Sequence, residues 1–351
     1  MTILAERFVH VIGVDTHKDS LYAAVLNCTG GGLEMCEVGA DASGYRRLVR
    51  MAAKYSGPLL WAVEGTGSYG AALTEHLLQA DQTVTEVDRP KRSLRKRGKS
   101  DAIDAIKAGC DALAMGHINP PRTRREREQL RVLLTTRSEF VKTRMALANH
   151  LHQLVITTSQ TVRSRFLESG QHSHSTERLV RKCLTTRARC RFSLEDETRL
   201  GAMREVARVV AELDARAAAY EARIKRRVEQ MAPGLLALPG LGTLTAAEIL
   251  VSWSHAGRVA NEAGFAALAG VAPIPASSGQ TIRHRLNHGG DCKLNAALHI
   301  VILSRCRYDP TTRDYVARRS AEGKTNREIR RCLKRYLARQ LFRFLNRLDR
   351  G

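Results

Sequence analysis

No stretch of this 351-residue chain approaches 18 consecutive apolar residues, which excludes a membrane-spanning helix. The start, M-T-I-L-A-E-R-F-V-H-V-I-G-V-D, lacks a charged segment followed by a long apolar one, so no signal peptide is expected. The eight cysteines (28, 36, 110, 183, 190, 292, 306 and 332) include no C-x-x-C pair and no Cys/His cluster at zinc spacing. A zinc module is thereby excluded, and reduced, buried thiols in a cytoplasmic protein are the expectation. Aromatic residues are lean at 5%, although a hydrophobic content of 43% suits a soluble globular protein. No internal repeat is apparent. Acidic residues are also short: 35 Asp and Glu stand against 57 Lys and Arg, for a formal net charge of +22. An excess of this size points to a polyanionic partner, most simply nucleic acid, with a merely basic or ribosome-associated protein as the bland alternative.

Against that background the few acids matter by their placement. F-V-H-V-I-G-V-D is β-branched and apolar and ends on Asp15; T-H-K-D reads as a polar turn, and S-L-Y-A-A-V-L-N returns as a hairpin partner. A third strand is expected near residues 33–38 and a helix over 41–55. P-L-L-W-A-V-E reads as a buried central strand ending on Glu64. Gly65 to Gly70 turns into a helix running to Leu78, and 83–87 forms another strand. A helix over 100–115 opens with Asp101 and Asp104, which share a face at i and i+3. Singly, each acid has an ordinary explanation as a turn cap, a satisfied buried group or a helix-start charge. Together they follow an RNase H-like order of hairpin Asp, central-strand Glu and helical Asp pair. Carboxylates that converge in this way share divalent cations, and two cations can stabilise both oxygens of a phosphoryl displacement. Sugar-kinase and actin-like ATPases also begin with a strand-Asp hairpin.

Further along, residues 89–99 pack seven Lys/Arg. Helical periodicity runs over 126–158, residues 159–194 show no convincing period, and Met203, Val206, Val210, Leu213, Ala217, Tyr220, Ile224 and Met231 form a heptad seam interrupted at Arg227. This pattern predicts a protruding antiparallel coiled-coil hairpin or a dimerisation element. L-P-G-L-G-T enters an apolar helix; its glycines either let backbone N–H groups approach a DNA phosphate, as in a helix-hairpin-helix, or form an ordinary turn. The G-T-G-S-Y-G loop lacks both dinucleotide and Walker spacing, and glycine flexibility beside Glu64 is its simpler purpose. Ser277 and Ser278 lie in a loop followed by an apolar helix through Leu303, and on spacing alone they are turn serines. His284 and His288 are weak candidates for bases among twelve histidines. From Arg305 onward there are fifteen Lys/Arg against five Asp/Glu, on a helix expected over 325–348.

Six ordered segments carry a resemblance: V-I-G-V-D-T-H-K-D, W-A-V-E-G-T-G-S-Y-G, K-S-D-A-I-D-A, L-P-G-L-G-T-L-T-A-A, A-L-A-G-V-A-P-I-P-A-S-S-G and G-K-T-N-R-E-I-R-R-C-L-K-R-Y-L-A-R. The chain resembles the DEDD transposases of the insertion-sequence one-ten family. The resemblance implies an α/β RuvC-like (RNase H-like) amino-terminal domain over 1–121 and a mainly α carboxy-terminal transposase domain over 232–351; between them the periodic stretch 122–231 is expected to form the long α-helical coiled-coil hairpin. It implies Mg2+, two ions per site, on Asp15, Glu64, Asp101 and Asp104, and a nucleophilic serine at Ser278, with Ser277 adjacent. It also implies donor and target DNA, a guiding bridge RNA, and a homodimer assembling to a tetramer. Lys91, Arg92, Arg95, Lys96, Arg97, Lys99, Gly240, Gly242, Arg283, Arg285 and Lys293 are the expected nucleic-acid contacts. A metal-dependent RuvC-like nuclease or junction resolvase without a covalent intermediate is the alternative.

Overall fold

The computed structural model describes residues 3–87, 101–122, 124–166, 175–186, 193–275, 284–285, 287 and 289–348. The chain divides into two compact units, one of residues 1–127, 252–295 and 331–351, the other of 128–251 and 296–330.

The first unit is built on a five-stranded sheet of order β3-β2-β1-β4-β5. β1 (His10–Thr16), β2 (Ser20–Asn27) and β3 (Gly32–Gly39) form an antiparallel meander, while β4 (Leu59–Glu64) and β5 (Val84–Val87) add in parallel on the other side of β1. The parallel additions require crossovers, supplied by α1 (Ala42–Ala52) and α2 (Ala71–Gln79). Asp41 caps α1 by accepting from the Gly44 amide at 2.9 Å. β1 and β4 are buried on both faces, as their unbroken apolar runs require. Ile12, Val14, Trp61 and Val63 pack on one face with Leu48 and Leu73 of α1 and α2. Val11, Leu60, Ala62 and Val87 pack on the other with Ala108 and Ala112 of α3 (Asp101–Leu113).

α3 lies unusually close to β1. A Cβ on Gly13 would sit 2.0 Å from the Ala105 carbonyl oxygen and 2.5 Å from the Gly109 nitrogen. Only glycine at 13 admits the helix, so the G in V-I-G-V-D is the seat of α3.

The second unit is helical. α4 (Arg125–Ile156) and α7 (Leu194–Met231) are its long elements, with α5 (Gln160–Phe166) and α6 (Thr176–Thr185) between them in sequence. Arg137 pairs with Glu221 at 2.7 Å, Phe140 meets the Tyr220 ring edge-on at 5.3 Å, and Arg144 reaches Asp214 at 3.0 Å. Ascending numbers on α4 meet descending ones on α7, so this pair runs antiparallel. Of the seam residues, Met203, Val210, Ala217 and Ile224 are buried, whereas Val206, Leu213, Tyr220 and Met231 are half-buried.

The stretch that showed no period contains the two short helices. Their apolar anchors are few, Val162 and Phe166 on α5 and Leu179, Val180 and Cys183 on α6, but all are buried with Leu151, Leu200 and Met203. Ser175 and Ser193 cap α6 and α7 by accepting amide hydrogen bonds from Arg178 and Asp196.

The remaining helices are α8 (Thr243–Trp253), α9 (Glu262–Leu268), α10 (Cys292–Tyr308), α11 (Pro310–Ala321) and α12 (Asn326–Leu348). α11 was not anticipated; Asp309 caps it and Pro310 opens it, a strong local start signal. Two short strands, β6 (Ile274–Pro275) and β7 (His284–Arg285), pair antiparallel. The cysteine expectation needs correction: Cys183 is buried, with its thiol pushed up to about 12 by desolvation, whereas Cys28 and Cys292 are exposed. No helix among the described residues is long and apolar enough to cross a membrane.

Candidate functional site

Strand alternation decides where the acids point. Val11 belongs to the α3 face, so Gly13, Asp15 and His17 fall on that face too. On β4, Leu60 and Ala62 share it, and Glu64 follows in the same alternation. The parallel register pairs Val14 with Val63, leaving Asp15 and Glu64 side by side one residue further on. Both are buried, at 4% and 2% exposure. Two carboxylates at such burial require compensating partners.

α3 brings the other two. From Gly13 to Asp15 a strand rises about 6.6 Å. From Ala105 back to Asp101 the helix rises about 6 Å. Seating Gly13 against Ala105 and Gly109 therefore levels Asp101 with Asp15. Ala108 and Ala112 pack in the cluster that contains Leu60, Ala62 and Val87, so Asp104, one turn before Ala108, stands on the β4 side of the helix.

Among the described residues, Asp15, His17 and Asp101 form a close group whose ligand atoms all lie within 4.8 Å of one another. His17 Nε2 is 3.2 Å from Asp15 Oδ2 and 3.3 Å from Asp101 Oδ1. Glu64 and Asp104 stand outside this close group. The donor set of carboxylates with one imidazole fits a divalent cation. His17 was read from the sequence only as a turn residue. The turn is real, since its N–H donates to the Ser20 carbonyl at 3.0 Å, but its position two residues after Asp15 also returns it to the same face.

The loop after Glu64 turns through Gly65 in a left-handed conformation, φ +61°. Thr16 Oγ1 donates to the Glu64 carbonyl at 3.2 Å, tying the two strand ends together. A Cβ on Gly67 would meet the Arg122 and Arg127 side chains at 3.5 and 3.6 Å, so two guanidinium-bearing chains line this loop. Arg127 is buried at 3% exposure.

Glu86 on β5 makes a second connection that the sequence reading missed. Its carboxylate receives Arg258 at 3.2 Å and Arg122 at 3.4 Å, all three side chains being largely or partly shielded. This ties the sheet edge to the segment that begins at Ser252.

That segment frames the serine loop. Ile274 pairs with Arg285 and Pro275 with His284, leaving Ser277, Ser278 and Arg283 between the two strands and outside the described residues. Gly270 and Gly290 hold the base of the frame, where a Cβ on Gly290 would meet the Gly270 nitrogen at 2.4 Å. Asp291 caps α10, accepting from the Lys293 and Leu294 amides at 2.9 and 3.1 Å and from Ser252 Oγ at 2.8 Å. Arg285 and Lys293 are exposed.

Gly240 adopts a left-handed turn, φ +74°, against α10, where a Cβ would come within 2.9 Å of the Val301 carbonyl oxygen. Arg305 Nε donates to the Pro239 carbonyl at 2.7 Å in the same contact. Packing thus accounts for glycine at 240. Gly242 is exposed, and its N–H donates to Thr245 Oγ1 at 3.1 Å. Lys91, Arg92, Arg95, Lys96, Arg97 and Lys99 lie outside the described residues, as do His288 and the side chain of His284.

Comparison with known proteins gives the family. Residues 12–159, which contain all four acids, match the DEDD transposase family model of IS110. Residues 232–317, which contain the serine loop, match the family described as Transposase IS116/IS110/IS902. The chain belongs to the IS110-type DEDD transposase family. Among curated proteins, the insertion element IS110 43.6 kDa protein of Streptomyces coelicolor is 33% identical over 130 residues, covering 36% of this chain and 32% of that protein. The match thus spans about a third of that relative. The insertion element IS900 42 kDa protein of Mycobacterium paratuberculosis is 24% identical over 357 aligned positions, covering 89% of each.

Proposed function

We propose that this chain is a DNA transposase that cuts and rejoins strands through a phosphoserine at Ser278, assisted by divalent cations on Asp15, Glu64, Asp101 and Asp104. The observation that carries the reading is the levelling of Asp15 with Asp101 under the α3 seat, beside a buried Glu64, in a chain of net charge +22. Mg2+, two ions per site, would supply Lewis-acid polarisation of the phosphate and neutralise charge on the departing oxygen.

The serine supplies the rest. Its Oγ attacks phosphorus and gives up its proton as the Oγ–P bond forms. The bond from phosphorus to a deoxyribose oxygen breaks, and that oxygen leaves with a proton. A hydroxyl of the second strand later reverses the exchange and restores the serine. Each bond broken is replaced by one of the same kind, so rejoining needs no external energy source.

The basic run at Lys91, Arg92, Arg95, Lys96, Arg97 and Lys99, with Arg283, Arg285 and Lys293, would neutralise backbone phosphates, and Gly242 would present its loop to a phosphate. A bridge RNA would supply sequence choice by base pairing. The α4/α7 pair is the element through which a homodimer, and from it a tetramer, would form as a coiled-coil hairpin. The functional division is 1–121 for the carboxylates, 122–231 for assembly and 232–351 for the serine, acting in the cytoplasm.

The test is a denaturing gel of the full chain with its co-purifying RNA, Mg2+ and labelled donor DNA. A covalent protein–DNA adduct is expected, lost in both Ser278→Ala and Asp15→Ala. Cleavage by Ser278→Ala at the normal rate without adduct would mean a metal-dependent nuclease instead. Full strand exchange by both Ser277→Ala and Ser278→Ala would end the transposase proposal.

A further inference from the structure

We infer that His17 is a metal ligand, so that the cation beside Asp15 and Asp101 sits in a mixed nitrogen–oxygen site rather than in carboxylates alone. The inference rests on the metal-dependent reading above and names a donor that the DEDD set does not contain.

Three observations carry it. The Nε2 atom of His17 approaches one oxygen of each carboxylate at 3.2 and 3.3 Å, equidistant within 0.1 Å. That nitrogen is buried, although the ring as a whole is 40% exposed, and neither approach meets hydrogen-bond geometry. A buried ring nitrogen this close to two carboxylate oxygens, yet hydrogen-bonded to neither, is placed to share a cation with them. The third observation is local: the 17–20 turn fixes the His17 backbone through its bond to Ser20, so the ring is held at the strand end instead of on a free loop.

An imidazole ligand changes what the site selects. Mg2+ and Ca2+ favour oxygen donors, whereas first-row transition ions accept imidazole nitrogen. The His17 site therefore takes Mn2+ in preference to Mg2+ by more than an all-carboxylate site would.

The test uses nuclease-treated full-length protein and Mn2+ as the probe, read by pulsed electron paramagnetic resonance. The expected result is nitrogen modulation from a directly bound imidazole, absent in His17→Gln. In competition titrations the ratio of Mn2+ to Mg2+ affinity falls about tenfold in His17→Gln. Persistence of the nitrogen signal and of the ratio in His17→Gln overturns the inference, as does an oxygen-only spectrum in the unaltered chain. Asp15→Asn separates the two layers of argument. If it abolishes Mn2+ binding while His17→Gln changes nothing, the carboxylate site stands and only the His17 assignment fails. If Asp15→Asn binds Mn2+ normally, the metal reading of the carboxylates fails with it. A normal melting curve for His17→Gln is expected, since the side chain is 40% exposed.

Discussion

Replacing Gly13 by alanine would place a methyl carbon 2.0 Å from the Ala105 carbonyl oxygen, a distance no relaxation of a side chain can relieve because both neighbours are backbone. α3 must then lift from β1, and Asp101 leaves the level of Asp15. The expected cost is about 3 kcal/mol or more of stability, with Mn2+ binding lost even in the fraction that stays folded. Thermal denaturation together with Mn2+ titration checks both halves. Gly201→Ala on α7, where a Cβ meets nothing within 4 Å, is the control and should melt slightly higher than the parent. Asp15 and Glu64 drew notice in the sequence through their order with Asp101 and Asp104, and Glu64 also because a carboxylate ending an apolar strand is costly without a partner. Gly13 and His17 did not. A glycine inside a strand and a histidine in a polar turn acquire meaning only once a helix is laid across them.

At the scale of elements, the helices beyond the sheet were plainest in the sequence where the periodic pattern was longest. The 38-residue α7 and the 32-residue α4 announced themselves through repeated apolar positions. α5 and α6, of 7 and 10 residues, offer too few turns to establish a period and are held by packing on neighbours. Met203 lies where these pieces meet and is fully buried. Met203→Ala is expected to destabilise the helical unit by about 2–5 kcal/mol. Calorimetry should show the lower transition, while Mn2+ titration below that transition should match the parent, because the carboxylates lie in the other unit. Equal loss of metal binding would mean that the two units do not hold their structure separately.

Across the whole molecule, the positive charge is what composition made plainest, yet much of it falls on segments such as 91–99 whose partner must be inferred from electrostatics alone. Counterion release makes that inference measurable. Each phosphate neutralised by a cation contributes about −0.9 to the slope of log affinity against log salt on duplex DNA. Replacing Lys91, Arg92, Arg95, Lys96, Arg97 and Lys99 together by glutamine still leaves a strongly basic chain, so non-specific attraction persists and the change in slope isolates the run itself. If all six touch phosphates, the slope should become shallower by about 5, as read by fluorescence anisotropy over a salt series. A slope that does not move would assign the charge excess to other surfaces, of which α12 and the residues around it are the most basic. The same series run with structured RNA in place of duplex DNA then decides which polyanion the run serves: the one whose slope it changes more.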